Sequence, residues 1–238
     1  MSTQKSKSSE DLGFSNHLAV RLPLTDKFID HPLLCKLCAN AQTREKCLKI
    51  LQYTSKLIAY FLQKGGKEWE ALAKLLSTAR RCFKLLRWVK HFDDLKDAAA
   101  EGSASFRSAL YLDVGCNLVA DISEDMCSLE KIGFIRKGRL PARAEYYSNW
   151  CQLVLAVVEI YVSKVKAERA VWKANSSPSI DNQRKSLLAR LEMSKFVADL
   201  FKAFWDCEMS FANELLFILS GLWAAMVSTH KYAIKAAK

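Results

Sequence analysis

The sequence predicts an all-α protein, a membrane-associated helical bundle with amphipathic helices and a hydrophobic segment near the C-terminus. Only 8 glycines and 4 prolines interrupt the 238 residues, and half of the residues are hydrophobic. This composition is typical of long helices joined by short turns. Apolar side chains recur every three or four residues through most of the chain, and no strand-like alternation or internal repeat is evident.

Residues 1–40 form the first predicted region, a polar tail followed by short helices. The opening stretch MSTQKSKSSEDLGF has no apolar core of the kind that a secretory signal requires. Pro23 and Pro32 break the pattern that follows into short helical pieces. We therefore expect a cytosol-facing protein whose eight cysteines are reduced thiols.

Residues 41–173 form the second predicted region, a series of amphipathic helices. Thr43 is a suitable N-cap for a helix that continues to about residue 63. An apolar face is predicted for this helix at Cys47, Leu51, Thr54, Ile58 and Phe61. Two glycines at residues 65–66 end it.

Residues 69–92 have the most informative pattern, because their basic and apolar side chains separate onto opposite faces of a single predicted helix. From residue 71 to residue 92 there is no Asp or Glu. The basic side chains expected to contact lipid headgroups are Lys74, Arg80, Arg81, Lys84, Arg87 and Lys90. The apolar face expected to insert among acyl chains contains Leu72, Leu76, Ala79, Phe83 and Leu86. Such a helix suits an anionic membrane interface.

The next helix, predicted over residues 106–135, carries five acidic and two basic residues and therefore a net charge of −3. It offers a second interpretation of residues 69–92, in which their basic side chains pair with this acidic helix inside the bundle. Composition alone does not separate that interpretation from membrane binding. A basic turn and a helix over residues 144–172 follow.

The last predicted regions are a polar linker at residues 174–186 and a C-terminal helix with a membrane segment at residues 187–238. Residues 215–230 form the longest uncharged run, marked by Leu215, Leu222, Trp223 and Val227. Its 16 residues are fewer than the roughly 20 that a membrane-spanning helix needs. The sequence therefore leaves open whether this segment crosses a bilayer.

No catalytic, cofactor-binding or metal site is predicted. Cys35 and Cys38, with His31 upstream, resemble half of a zinc site, but no second ligand pair accompanies them. The net charge of +11 favours a polyanionic partner. An anionic phospholipid membrane fits better than nucleic acid, because the aromatic residues of the basic segment lie on its apolar side.

Four stretches, in order, resemble the peroxisomal biogenesis factor 11 (peroxin-11) family. They are TREKCLKILQYTSKL at residues 43–57, STARRCFKL at 77–85, DMCSLEKIGF at 125–134 and SGLWAAMVSTHK at 220–231. The last resembles plant members especially. Leu86 departs from the pattern, because many members have glycine at this position.

The resemblance implies a protein of the peroxisomal membrane, with both termini in the cytosol, that elongates the membrane before fission. It also implies self-association and action with a fission adaptor and a dynamin-related GTPase. Two alternatives stay open at this point: a pore for small metabolites, and a soluble helical scaffold that binds acidic partners.

Overall fold

The structure is a computed structural model that describes residues 41–62, 65–136 and 138–236. Within these residues it is all-helical, as predicted. The seven α-helices are α1 (Ala41–Leu62), α2 (Lys67–Cys82), α3 (His91–Ala99), α4 (Ala104–Ile132), α5 (Arg139–Ser176), α6 (Ile180–Asp206) and α7 (Glu214–Ala236), and a 3-10 helix (Arg87–Lys90) precedes α3. The predicted short helices of residues 1–40, and His31, Cys35 and Cys38 with them, lie outside the described residues.

The helices pack mainly against their neighbours in sequence. Helices α4, α5, α6 and α7 form successive pairs, and α1 closes the bundle by packing against both α2 and α7. Helix α3 packs on α4. The turns between the long helices are short, which favours such antiparallel pairs.

Local sequence explains where several helices begin and end. Gly133, with φ +86°, ends α4 in the left-handed conformation that glycine adopts without strain. The Ser179 hydroxyl accepts the Asn182 N–H at the start of α6, and the Asn213 side chain accepts the Leu215 N–H at the start of α7. The predicted linker at residues 174–186 therefore contains the last turn of α5, three non-helical residues and the beginning of α6.

The apolar core of the described part is small. Tyr53 of α1 and Phe217 and Ile218 of α7 form it, with Leu57 and Leu222 packed around them. Many large apolar side chains lie instead on the outside of the bundle, on every long helix.

Helix α1 illustrates this inversion and corrects its predicted apolar face. Leu51 and Phe61, which belong to the predicted apolar face, are exposed, Phe61 by 68%. Glu45 and Gln52 are buried instead. Hydrophobic periodicity located the helix, but it did not identify the side that faces the bundle.

Candidate membrane-binding surface and polar interior

The predicted single helix over residues 69–92 is wrong, because α2 ends at Cys82. The N–H of Leu86, which would bond to the carbonyl of Cys82 in a continuous helix, is donated at 2.9 Å to Asp125 Oδ2 of α4. Leu86 adopts φ +63°, in the left-handed region, and the 3-10 helix and α3 follow. A carboxylate from a distant helix therefore breaks the segment in two.

Three of the six predicted headgroup ligands point into the bundle. Arg80 is buried, and its guanidinium donates at 2.8 Å to Gln52 Oε1 and lies 3.0 Å from Glu45 Oε1. The Lys84 ammonium donates at 2.9 Å to Glu124 Oε2 of α4. The Lys84–Glu124 pair is of the kind that the second interpretation of the sequence predicted, whereas the partners of Arg80 lie on α1.

Arg87 completes this set of interior ion pairs with a bidentate contact. Its Nε donates at 2.9 Å to Asp121 Oδ2, and its Nη2 donates to the other oxygen of the same carboxylate. His91 Nε2 lies 2.9 Å from Asp121 Oδ2, and His91 Nδ1 lies 3.2 Å from Asp94. Paired planar groups of this kind fix geometry as well as charge.

The other three basic side chains lie farther out. Lys74 and Lys90 are exposed and make solvent-accessible ion pairs within their own helical turns, with Glu70 at 2.7 Å and with Asp94 at 3.7 Å. Arg81 is half-buried. Exposed pairs of this kind contribute little stability, so Lys74 and Lys90 are available to other anions.

The apolar side of the same segment faces outward. Of the residues predicted for this side, Leu72, Phe83 and Leu86 are exposed, whereas Leu76 and Ala79 are half-buried. We call the exposed set the outer apolar surface: Trp69, Leu72, Leu75, Phe83, Leu86, Val89 and Phe92. Leu75 and Leu86 are the most exposed of its leucines, at 66% and 65%.

The environment of the interior carboxylates lowers their pKa values. Burial alone would raise the pKa of Glu124, but the Lys84 ammonium and the nearby Arg81 and Arg80 guanidinium groups hold it well below its usual range. Burial would also raise the pKa of Glu45, but Lys46, Lys84 and Arg80 outweigh burial and lower it. Both groups are therefore ionised at neutral pH.

The interior ion pairs border a partly open cavity of about 440 Å³. Side chains from each of the helices named above and from the segment between α2 and α3 line it. Among the described residues, eight Lys or Arg side chains and six Asp or Glu side chains contribute to its walls. No group of His, Cys, Asp and Glu within the described part of the chain is suited to hold a metal ion.

Sequence reasoning identified the acidic residues of α4 but missed Glu45, Lys49 and Gln52 of α1 and Asp199 of α6. Glu45, Lys49 and Gln52 follow one another at spacings of four and three residues, which places them on one face of α1. That spacing was a usable signal. It was obscured by the apolar residues Leu51 and Phe61, which were assumed to face the core.

The predicted membrane segment at residues 215–230 lies within α7. Ala224 and Ala225 are fully buried, Leu215, Leu222 and Val227 are half-buried, and Trp223 is exposed and donates its indole N–H to Ser194. Across the described residues, no helix combines the length and the hydropathy that a bilayer crossing requires. Residues 215–230 form part of α7, which packs against α1 and α6.

Comparison with known proteins identifies one family. The family model described as peroxisomal biogenesis factor 11 (PEX11) matches residues 32–233, which is most of the chain. No curated protein and no solved structure matches significantly.

Proposed function

Because the chain belongs to the peroxisomal biogenesis factor 11 (PEX11) family, we propose that it elongates the peroxisomal membrane by inserting its outer apolar surface into the cytosolic leaflet. Family membership itself assigns the protein to peroxisome biogenesis and proliferation, and the family is not a known enzyme family. The insertion mechanism and the cytosolic position of both termini are our proposal.

The observation that carries the proposal is the orientation of residues 69–92. Seven of their large apolar side chains are exposed, while Arg80, Lys84 and Arg87 are paired with carboxylates of the bundle. Exposed apolar surface of this extent marks a site of association with a membrane or a protein. Each CH₂ group that enters the acyl region contributes about 0.8 kcal/mol.

Electrostatic attraction has a smaller part than six basic residues would suggest. Lys74 and Lys90 are exposed and Arg81 is half-buried. Arg87 is also 41% exposed, but its bidentate pair with Asp121 neutralises it, so Lys74, Lys90 and Arg81 are the cations available to lipid headgroups. At about 1 kcal/mol for each charge near an anionic surface, they contribute at most about 3 kcal/mol. Apolar insertion therefore dominates, and moderate salt should weaken binding without abolishing it.

The mechanism that follows is a wedge. Two short helices joined by a turn lie in one leaflet, spread the headgroups apart and favour curvature away from that leaflet. The ion pairs with α4 hold the wedge against the body of the bundle. The proposal includes self-association, which would concentrate the protein on the curved membrane. It also includes recruitment of a fission adaptor and a dynamin-related GTPase, which would divide that membrane.

The test places charge in the outer apolar surface without touching the interior. Leu75→Glu combined with Leu86→Glu should reduce flotation of the full chain with anionic liposomes by roughly tenfold or more and abolish tubulation, because unpaired charge is strongly disfavoured in the acyl region. The matched control is Trp172→Glu with Ile180→Glu, because these residues are similarly exposed, at 72% and 67%, beside the α5–α6 turn. Tubulation by the first double variant at the wild-type level would contradict the proposal.

A further inference from the structure

The geometry points to a binding site for a small multivalent phosphate anion in the interior cavity, with Lys49 of α1 and Lys195 of α6 as its main ligands. This inference does not depend on membrane insertion, because it concerns the interior of the bundle and not its outer apolar surface. The cavity volume of about 440 Å³ is within the range of pockets that hold small ligands.

The walls of the cavity carry more positive than negative side chains. The cations in the described part of the cavity outnumber its carboxylates by two, and the carboxylates are shared. Glu45 forms ion pairs with both Lys46, at 2.6 Å, and Arg80, at 3.0 Å. Asp199 serves both Lys49 and Lys195. A cavity with this surplus of cations favours an anion and disfavours a metal ion or an amine.

The second argument is the hydrogen bonding of the two lysines that share Asp199. The Lys49 ammonium lies 3.8 Å from Oδ1 and the Lys195 ammonium lies 3.6 Å from Oδ2, distances longer than a hydrogen bond. Neither ammonium donates a hydrogen bond to any residue that the structure describes. Lys195 also lies over the Phe196 ring, 4.0 Å from its centroid. Each ammonium has three donors, so both retain capacity for the oxygens of a ligand.

The protonation of Lys49 supports the same conclusion. Burial lowers the pKa of Lys49 to about 7; Asp199 offsets this in part, and Arg80, Lys46 and Lys202 add to it. Near pH 7, Lys49 is therefore close to losing its positive charge. A bound phosphate would favour the charged ammonium, so binding near neutral pH should take up protons.

Glu159 of α5, which also lines the cavity, acts in the same direction. Burial raises its pKa to about 8, with Asp113, Asp199 and Glu192 adding to the rise and Lys195 opposing it. As the pH increases, Lys49 loses its positive charge and Glu159 gains a negative one. Affinity for an anion should therefore decrease as the pH rises from about 6.5 to about 8.5.

The experiment is calorimetric titration of the purified full chain with inorganic tripolyphosphate at both pH values, in two buffers of different ionisation enthalpy. Tripolyphosphate also loses a proton in this pH range, so the cavity groups are measured by comparison with Lys49→Gln: the wild type should favour the lower pH more and take up more protons near neutrality. Lys49→Gln and Lys195→Gln should each weaken binding roughly tenfold, the loss of a charge-assisted contact. Lys49→Gln should also reduce the proton uptake. Lys164→Gln is the matched control, because Lys164 is exposed and its ion pair with Glu168 is long, at 4.0 Å.

An absence of binding, or equal affinities for wild type and both cavity variants, would overturn the inference. Lys195→Gln keeps the test decisive if Lys49→Gln does not fold. A competition arm then identifies the source of the phosphate. Displacement of tripolyphosphate by vesicles that contain phosphoinositides assigns the site to a lipid headgroup, and displacement by soluble nucleotides alone assigns it to a free metabolite. Neither result affects the insertion proposal, which the glutamate variants of the outer apolar surface test separately.

Discussion

Gly221 is the residue that allows α7 to pack closely on α1. A Cβ atom added to it would overlap the ring of Tyr53, and Tyr53 is one of the two large side chains that are almost fully buried in the described part of the chain. The Tyr53 ring is fixed in turn by an edge contact with Phe217 at a centroid distance of 5.8 Å. The ring therefore has little room to move, and the position requires glycine for steric reasons.

We predict that Gly221→Ala destabilises the protein by about 1–3 kcal/mol, the usual cost of overpacking a core. Helix propensity alone would give the opposite sign, since alanine is favoured over glycine by about 1 kcal/mol inside a helix. Denaturant unfolding measures the difference. The control is Gly115→Ala in α4, where a Cβ meets nothing within 4 Å. This variant should be neutral or stabilised, and similar losses in both variants would contradict the steric argument.

At the scale of elements, the periodicity of apolar residues predicted most of the helices but not the break within residues 69–92. Helix formation depends on neighbours in sequence, and no glycine or proline marks this break. Its cause is Asp125, which is 39 residues away in sequence and accepts the Leu86 N–H. Local sequence was equally insufficient for α1. The charged residues of the neighbouring helices, and not the apolar residues of α1 itself, determine which of its faces is buried.

Leu86 provides the element-scale prediction, because its φ of +63° is unfavourable for any residue with a Cβ. Leu86→Gly should keep or raise the unfolding free energy, by up to about 1 kcal/mol, because glycine adopts this conformation freely. Leu86→Val should lower it by about 1–2 kcal/mol, since β-branched residues are least tolerated there. Many family members have glycine at this position, which agrees with the conformation.

Leu75 is the matched control for both Leu86 variants, because it is equally exposed but lies inside α2. Leu75→Gly should cost about 1 kcal/mol and Leu75→Val less, so the order of the two substitutions is reversed. Thermal or denaturant unfolding of the four variants tests this. The same order at both positions would show that Leu86 is not strained.

At the scale of the whole molecule, the described helices bury ion pairs as well as apolar residues, and many large apolar side chains lie on the exterior. Composition predicted an all-helical chain with amphipathic faces, and the acidic helix predicted partners for the basic segment. The sequence could not show that the charged faces of α1, α2, α4 and α6 converge, because convergence depends on how the helices are arranged in space. Interior ion pairs connect several of the described helices, so the stability of the protein should respond to pH.

Acid should destabilise the protein through its buried carboxylates. Glu45, Glu124 and Asp199 lie on three helices, and in each case neighbouring cations lower the pKa despite burial. Because the folded-state pKa values lie below the unfolded ones, the ion pairs contribute their full stability above about pH 4.5 and lose it as the pH falls through the folded values. Denaturant unfolding between about pH 7 and pH 3 should show a progressive loss of unfolding free energy.

The Glu124→Gln variant tests whether the Lys84–Glu124 ion pair accounts for this loss of unfolding free energy. At neutral pH the variant should be less stable than wild type by about 3–5 kcal/mol, because the buried Lys84 ammonium loses its carboxylate. As the pH falls below about 4.5 the difference should narrow, since Glu124 of the wild type is then protonated in the unfolded state but still ionised in the folded one. Glu168→Gln, which removes an exposed partner of Lys164, should change stability by less than about 1 kcal/mol throughout. If the Glu124→Gln and wild-type profiles stay parallel down to about pH 3, the ion pair does not account for the acid sensitivity, and the apolar contacts of Tyr53 and Ile218 would have to hold the bundle together.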